Sequence, residues 1–388
     1  MGRVAARHCV TFLAVIAVAL AAAAAPVTAG AAGNSRADRT EANYIVTLAP
    51  GVTNVSGVAQ AQLDRHGGAD PQRVFRSVRG YTARLTAAEA ADLAAEPSVL
   101  AVERDGVVTA NPTQTNAPWG LDRIDQRDRP LSGTYTYNNT GAGVTAYVID
   151  TGIRLTHNDF GGRAVAGFSA VGGGTSDCNG HGTHVASTIG GATYGVAKGA
   201  RLVAVRVLNC NGSGTTSGVI AGIDWAASNH AAGTPAVANL SLGGPASSSL
   251  DAAINRLIND GVTVAVAAGN SSANACNSSP ARVPNALTVA ASNSSDVFAS
   301  FSNRGSCVDI IAPGVNITAA WWTSNTATNT ISGTSMATPH TAGAAAKVLQ
   351  SSPGASPATV RNTLVNNATT GRISSVPAGT PNRLLFSN

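Results

Sequence analysis

From residue 111 onward the chain alternates short apolar segments, rich in β-branched residues and free of strict polar alternation, with stretches of helical spacing. The apolar segments are Val144 to Ile149, Leu202 to Leu208, Ala236 to Leu242, Val262 to Ala268 and Ala286 to Ala290, and the helical ones Ser217 to Ser228 and Ser248 to Asn259. Strands without alternation are buried on both faces, as in a parallel sheet sandwiched between helices. The expected fold is therefore α/β, a doubly wound, mostly parallel sheet with helices on both faces. In such sheets ligands bind at the carboxyl ends of the strands, and that is where chemistry is sought.

Composition changes near residue 110. All four glutamates (Glu41, Glu89, Glu96, Glu103) precede it, and all four tryptophans (Trp119, Trp225, Trp321, Trp322) follow it. The earlier part reads as β-α-β-β-α-β, a small α+β unit of ferredoxin-like outline. Its strands include Tyr44 to Leu48, Tyr81 to Leu85 and Val99 to Glu103; Val58 to His66 is a helix, and Thr86-Ala87-Ala88-Glu89 is a capping box that opens a second one. Ahead of it, Arg3 and Arg7 precede an apolar run from Cys9 to Ala25 and the small residues Val27-Thr28-Ala29. That is the pattern of a cleaved secretory leader over residues 1–29; the run is short for a membrane span, and no second span follows. A small unit between a leader and a larger one reads as a propeptide, so the expected organisation is leader 1–29, propeptide 30–110 and main domain 111–388.

The formal charge of +5 and the absence of basic clusters interleaved with aromatics exclude a nucleic-acid footprint and a membrane-surface one. Once Cys9 leaves with the leader, Cys178, Cys210, Cys276 and Cys307 remain, an even number in an oxidising destination. No C-x-x-C pair occurs, so disulfides are expected rather than zinc, with three connectivities open.

Three segments carry candidate chemistry. The strand ending at Ile149 leads into Asp150-Thr151-Gly152, which puts a carboxylate at the sheet edge, although an isolated Asp there also serves as a turn residue. In Asn179-Gly180-His181-Gly182-Thr183-His184, glycines flank His181 and let its backbone approach a partner closely, with a helix starting behind it. His184 lies on the same helical face, but a zinc site would need a third ligand, so His184 reads as structural. In Ser332-Gly333-Thr334-Ser335-Met336-Ala337, followed by an alanine-rich helix to Leu349, Ser335 sits at a helix N-terminus as a nucleophile or an ordinary cap. The segment lacks the second glycine of the α/β-hydrolase elbow.

Taken together, the order Asp, His, Ser with these flanks resembles the subtilase family of serine peptidases along 111–388, and within it the proteinase K subfamily and its aqualysin-like enzymes. Ala117-Pro118-Trp119-Gly120-Leu121-Asp122-Arg123-Ile124-Asp125 is similar to that subfamily's mature N-terminus. The resemblance implies a secreted endopeptidase with Asp150, His181 and Ser335 as its triad and Asn270 as a donor to the oxyanion. It implies substrate contacts at Gly212-Ser213-Gly214 and Ser241-Leu242-Gly243-Gly244, and a first specificity pocket walled by Ala267-Ala268-Gly269. Small, uncharged walls there imply cleavage after apolar and aromatic residues.

The resemblance further implies the disulfides Cys178–Cys210 and Cys276–Cys307. It implies structural calcium held by Asp122, Asp125, Gln126, Ser132 and Thr134, and a second site using Asp309 with the carbonyls of Pro284 and Ala286. Its partners would be protein and peptide substrates and its own propeptide, acting as intramolecular chaperone and inhibitor, and the enzyme would be a monomer. Maturation is expected between Ala110 and Asn111, within two residues, because Pro112 obstructs the next bond. The chain ends at Phe386-Ser387-Asn388 without the C-terminal extension of many aqualysin-like precursors, which argues against an outer-membrane export route. A catalytically silent scaffold, or an inhibitor module released from 43–110, are the competing readings, and the intact triad and Asn270 speak against the first.

Overall fold

The structure is a computed structural model and describes residues 40–67, 70–106 and 112–388. The chain divides into two compact units, Met1–Thr109 and Ala110–Asn388. The leader at 1–29 and the scission between Ala110 and Asn111 lie outside the described residues.

In the first unit the order is β1 (Ala42–Leu48), α1 (Val55–His66), β2 (Arg73–Phe75), β3 (Gly80–Leu85), α2 (Ala87–Ala94) and β4 (Val99–Arg104), the β-α-β-β-α-β read from the sequence. The sheet runs β2-β3-β1-β4, with each neighbouring pair antiparallel. Val46, Leu48, Ala59, Leu63, Tyr81, Ala83, Leu85 and Leu93 form its core. The capping box is present: Glu89 N–H donates to Thr86 Oγ1 and Thr86 N–H to Glu89 Oε2.

The second unit opens with a hairpin of β5 (Thr113–Thr115) and β6 (Thr134–Thr136) around α3 (Trp119–Ile124). The sheet elements then follow as β7 (Thr145–Asp150), β8 (Ala164–Ser169), α4 (His181–Gly190), β9 (Arg201–Arg206), α5 (Thr216–Asn229) and β10 (Ala236–Leu240). After β11 (Gly244–Pro245) come α6 (Ser248–Asn259), β12 (Thr263–Ala267), β13 (Ser278–Ser279, paired with β11), β14 (Leu287–Ser292) and β15 (Ile310–Pro313). The hairpin β16 (Ile317–Ala320) and β17 (Thr328–Ile331) precedes α7 (Thr334–Ser351) and α8 (Pro357–Asn367), and β18 (Thr369–Thr370) and β19 (Arg383–Leu384) close the chain.

Nine strands form one sheet in the order β18-β19-β15-β14-β12-β10-β7-β9-β8, parallel except where β18 meets β19. Alternate residues of the central strands enter separate cores. Ala146 and Val148 of β7 face the core shared with α4 and α7, whereas Tyr147 and Ile149 face the one shared with α5 and α6. Burial on both faces is what the missing alternation implied.

All five expected strands are present, and β8, β15, β18 and β19 join them. β8 is interrupted at Gly167, where the register with β9 shifts and a Cβ would lie 2.7 Å from the Ala204 carbonyl. β15 ends in Pro313, a residue that argues against a sheet strand when read from sequence. Among the described residues no helix is long and apolar enough to cross a membrane.

Candidate active site

Asp150 is the last residue of β7 and is fully buried, with its carbonyl accepting from the Val207 N–H at 2.8 Å. Its Oδ1 accepts from the Thr151 N–H at 2.7 Å and faces His181 Nδ1 at 2.8 Å. His181 begins α4, and its side chain keeps a quarter of its surface exposed. The flanking glycines allow this approach. Gly180 has φ of 112°, and a Cβ there would lie 2.4 Å from the Trp321 ring, while one on Gly182 would lie 2.2 Å from the Gly152 carbonyl. Burial acts to lower the His181 pKa, but the charge and hydrogen bond of Asp150, with the charge of Asp177 behind, offset it and leave the imidazole above its ordinary value.

Ser335 is the second residue of α7. Its hydroxyl donates to the Ser241 carbonyl at 3.2 Å, and the Ser241 hydroxyl donates to the Ser335 carbonyl at 2.8 Å. The Ser335 carbonyl is free to accept because its helical partner four residues on, Pro339, has no N–H. Asn239 Nδ2 donates to Ser241 Oγ at 2.9 Å, so β10 is tied through two side chains to the start of α7. The structure thus pairs Asp150 with His181, whereas the Ser335 hydroxyl is turned to Ser241.

Asn270 follows the end of β12. Its Oδ1 accepts from the N–H of Thr334 at 2.8 Å and from its hydroxyl at 2.9 Å. With Oδ1 committed, the amide is oriented and Nδ2 remains as a donor. Asn303 fixes the same loop, donating to the Ala268 carbonyl at 2.8 Å and accepting from the N–H groups of Ser271 and Ala273.

Two cavities share the wall Leu242-Gly243-Gly244. One, of about 460 Å³, is lined by His181, Gly212-Ser213-Gly214 and Ser241; the other, of about 370 Å³, by Ala267-Ala268-Gly269, Asn270 and Ser335. Among the described residues no Asp, Glu, Lys or Arg lines either. His184 is the structural residue that was expected: buried, with Nε2 on the Ile317 carbonyl at 2.9 Å, and pushed by burial down to about 4.

The four cysteines form Cys178–Cys210 and Cys276–Cys307. The first joins the segment ahead of His181 to that of Gly212; the second braces the loop after Asn270, where the Arg304 N–H also donates to the Ala273 carbonyl.

The two expected cation sites differ. Asp122 accepts from the N–H groups of Ser132 and Gly133 and from Ser132 Oγ, and Ser132 Oγ lies 2.8 Å from Thr134 Oγ1. Asp125 Oδ1 is buried without a partner, and burial, with the Asp122 charge adding to it, pushes that carboxyl up to about 6. Gln126 directs its amide N–H groups to the carbonyls of Asp128 and Pro130, leaving its oxygen free. Two crowded carboxylates, an orphaned oxygen and neighbouring hydroxyls fit a hard cation. Asp309 does not offer the same fit. Its Oδ1 is paired with Arg361 and its Oδ2 accepts from the Thr288 N–H at 2.9 Å, so a guanidinium already meets the charge. Ala286 donates its N–H to Val283, and Pro284 lines a different cavity of about 550 Å³.

Sequence reasoning passed over Asp177. This buried carboxylate, four residues before His181, accepts from Thr151 Oγ1 (2.9 Å), the N–H groups of Asn179 and Gly180 (2.9 Å each), the Thr183 N–H (2.9 Å) and Thr183 Oγ1 (2.6 Å). The signal was Asp177-Cys178-Asn179-Gly180, an Asp with Asn-Gly two residues on, the pattern of an Asx turn.

Residues 141–384 match the model of the subtilase family, and residues 43–111 that of peptidase inhibitor I9. The chain is 54% identical to an extracellular serine proteinase of Thermus sp. over 87% of its length and 83% of that protein's. It is 50% identical to alkaline serine exoprotease A of Vibrio alginolyticus, covering 84% of this chain and 63% of the other. A crystal structure of a cold adapted subtilisin-like serine proteinase, 55% identical, superposes with a TM-score of 0.69 over 71% of this chain and 99% of that one. An open α/β sheet with this site at its carboxyl edge, behind an inhibitor-type unit, places the chain in the subtilase family, as a serine endopeptidase.

Proposed function

We propose that the chain is the precursor of a secreted endopeptidase in which Asp150, His181 and Ser335 form the catalytic triad and Asn270 donates to the oxyanion. The observation that carries this reading is the 2.8 Å pair of Asp150 and His181 at the edge of a cavity whose neighbour holds Ser335 and Asn270. Ser335 Oγ attacks the peptide carbonyl while His181 Nε2 takes its proton and returns it to the leaving amine. Water then releases the acyl group by the same route. Asp150 holds the imidazole in one tautomer, and Asn270 Nδ2 and the Ser335 N–H meet the oxyanion.

Substrate lies extended between Gly212-Ser213-Gly214 and Ser241-Leu242-Gly243-Gly244 and adds a strand between them. The uncharged lining of the 370 Å³ cavity supports apolar and aromatic residues before the scissile bond. Asp122, Asp125, Gln126, Ser132 and Thr134 would hold calcium, whose charge would neutralise two crowded carboxylates. Cleavage between Ala110 and Asn111 separates the I9-type unit, which inhibits until it is degraded.

The test is hydrolysis of casein by secreted material, its loss to a serine-directed inhibitor and in Ser335→Ala, and N-terminal sequencing of active enzyme. A mature chain beginning before Tyr81 or after Trp119 overturns the propeptide reading.

A further inference from the structure

His181 stands at the N-terminus of α4, where the helix dipole disfavours the positive charge that an imidazole acquires as a general base. Gly180 precedes it and offers no side-chain cap. Asn179 Oδ1 accepts from the His181 N–H at 3.2 Å, and the charged member of the cap is Asp177, whose two oxygens accept five hydrogen bonds from three places: the strand end at Thr151, the turn Asn179-Gly180, and Thr183 in the first turn of α4. Thr151 Oγ1 also accepts from the Gly182 N–H at 2.8 Å, so one hydroxyl couples Asp177, the segment after Asp150 and the residue after His181.

We propose that Asp177 is a positioning residue of the proteolytic site: it holds α4 and its histidine against the Asp150 strand, and its charge offsets the helix dipole when His181 becomes an imidazolium. This rests on the triad reading above. Asp177 accepts from N–H and O–H donors at both of its oxygens, so the carboxylate is fully engaged. The other titratable groups about His181 are Asp150 from β7 and His184 from α4 itself. Arg206, at the end of β9, is a further cation of this region, held by Cys178 Sγ (3.0 Å) and the carbonyls of Gly174 and Leu208. None of them is altered by the variants below.

The experiment compares Asp177→Asn with Asp159→Asn in the mature enzyme. Asp159 is also buried and also braces α4, accepting from Ser187 Oγ and the Thr193 N–H at 2.7 Å each. Asp177→Asn is expected to lower kcat about tenfold, the scale of one charge at a partly buried helix terminus, with KM changed less than about twofold. It also moves the acid limb of kcat/KM down by about half a pH unit, because a negative charge that favours the imidazolium is gone. Asp159→Asn lowers the Tm and leaves the acid limb in place. If Asp177→Asn does not fold, Thr151→Val keeps both carboxylates but cuts their link, and kcat falls about threefold with the acid limb unmoved.

A folded Asp177→Asn with wild-type kcat and acid limb overturns the proposal, as does an acid limb that shifts equally in Asp159→Asn. Where only Thr151→Val folds, wild-type kcat in that variant overturns it. Ser335→Ala run alongside separates the two failures. Turnover in Ser335→Ala sinks the triad reading itself, whereas a dead Ser335→Ala beside an unaffected Asp177→Asn sinks only the role of Asp177.

Discussion

Helices α4 and α7 begin alike: each is preceded by glycine with no side-chain cap, each has its reactive residue in the first turn, and each lies against the carboxyl edge of the sheet. They differ in what satisfies their first N–H groups. At α4 the His181 N–H donates to Asn179 Oδ1 and the Gly182 N–H to Thr151 Oγ1, and the Thr183 N–H donates to the carboxylate of Asp177, which also accepts from Thr151 Oγ1; at α7 the Thr334 N–H donates to the neutral amide oxygen of Asn270, with no carboxylate in the set. The charges that form at the two ends account for this. In the proposed mechanism a cation forms on His181, so an anion beside it helps, whereas an oxyanion forms beside Ser335, where a carboxylate would oppose it and the unmodified positive end of the helix assists. One backbone device thus serves opposite charges through the choice of its cap.

The largest expected effect at the α7 end is that of Ser335→Ala, which removes the nucleophile and lowers kcat by more than about 1,000-fold, measured on a chromogenic peptide. The precursor is also expected to stay uncleaved on a gel. Asn270→Ala is next, with kcat down about 100–1,000-fold and KM little changed, a range that itself comes from a subtilisin side-chain donor. Asn270→Asp sharpens the contrast: it keeps the acceptor for Thr334 but puts a carboxylate where the oxyanion forms, and is expected to be no more active than Asn270→Ala. If Asn270→Asp were the more active, the charge argument for the two caps would fail.

At the α4 end the pH dependence has a definite sign. The imidazole must be neutral to accept a proton, and its pKa lies above the ordinary value. Activity is therefore expected to fall as pH drops through an acid limb above 6.5, the ordinary histidine value. A limb below that value breaks the claim that anions outweigh burial there.

The disulfides extend the comparison, since each braces one of the two caps. Replacing either pair with serine is expected to cost about 3.7 kcal/mol in the chain-entropy model, for sequence separations of 32 and 31. The loss for Cys178–Cys210 is expected to come with a change in KM, because it joins the Asp177 segment to that of Gly212, a proposed substrate-binding one. Smallest of all is calcium removal. Chelation is expected to lower the Tm by a few degrees, and Asp125→Asn to abolish that sensitivity while Asp309→Asn leaves it, as followed by calorimetry.

Much of this was legible in the chain itself. The central strands declared burial on both faces through their missing alternation, the capping box at Thr86 announced α2, and the Asp150, His181 and Ser335 segments each carried glycine or helix-start signals within a few residues. These are local properties, set by backbone conformation and by periodicities of two and 3.6 residues. The tertiary structure decided whatever depends on distant segments meeting in a dry interior. Ser335 shares hydrogen bonds with Ser241 from 94 residues away, and Asp309 takes Arg361 as its cation from 52. Lys347, in an alanine-rich helix that reads as plain core, is buried against the Tyr135 hydroxyl at 3.1 Å and pushed by that burial down to about 8. A buried polar group must find a partner wherever the fold brings one, and no local pattern encodes which distant donor or acceptor that will be.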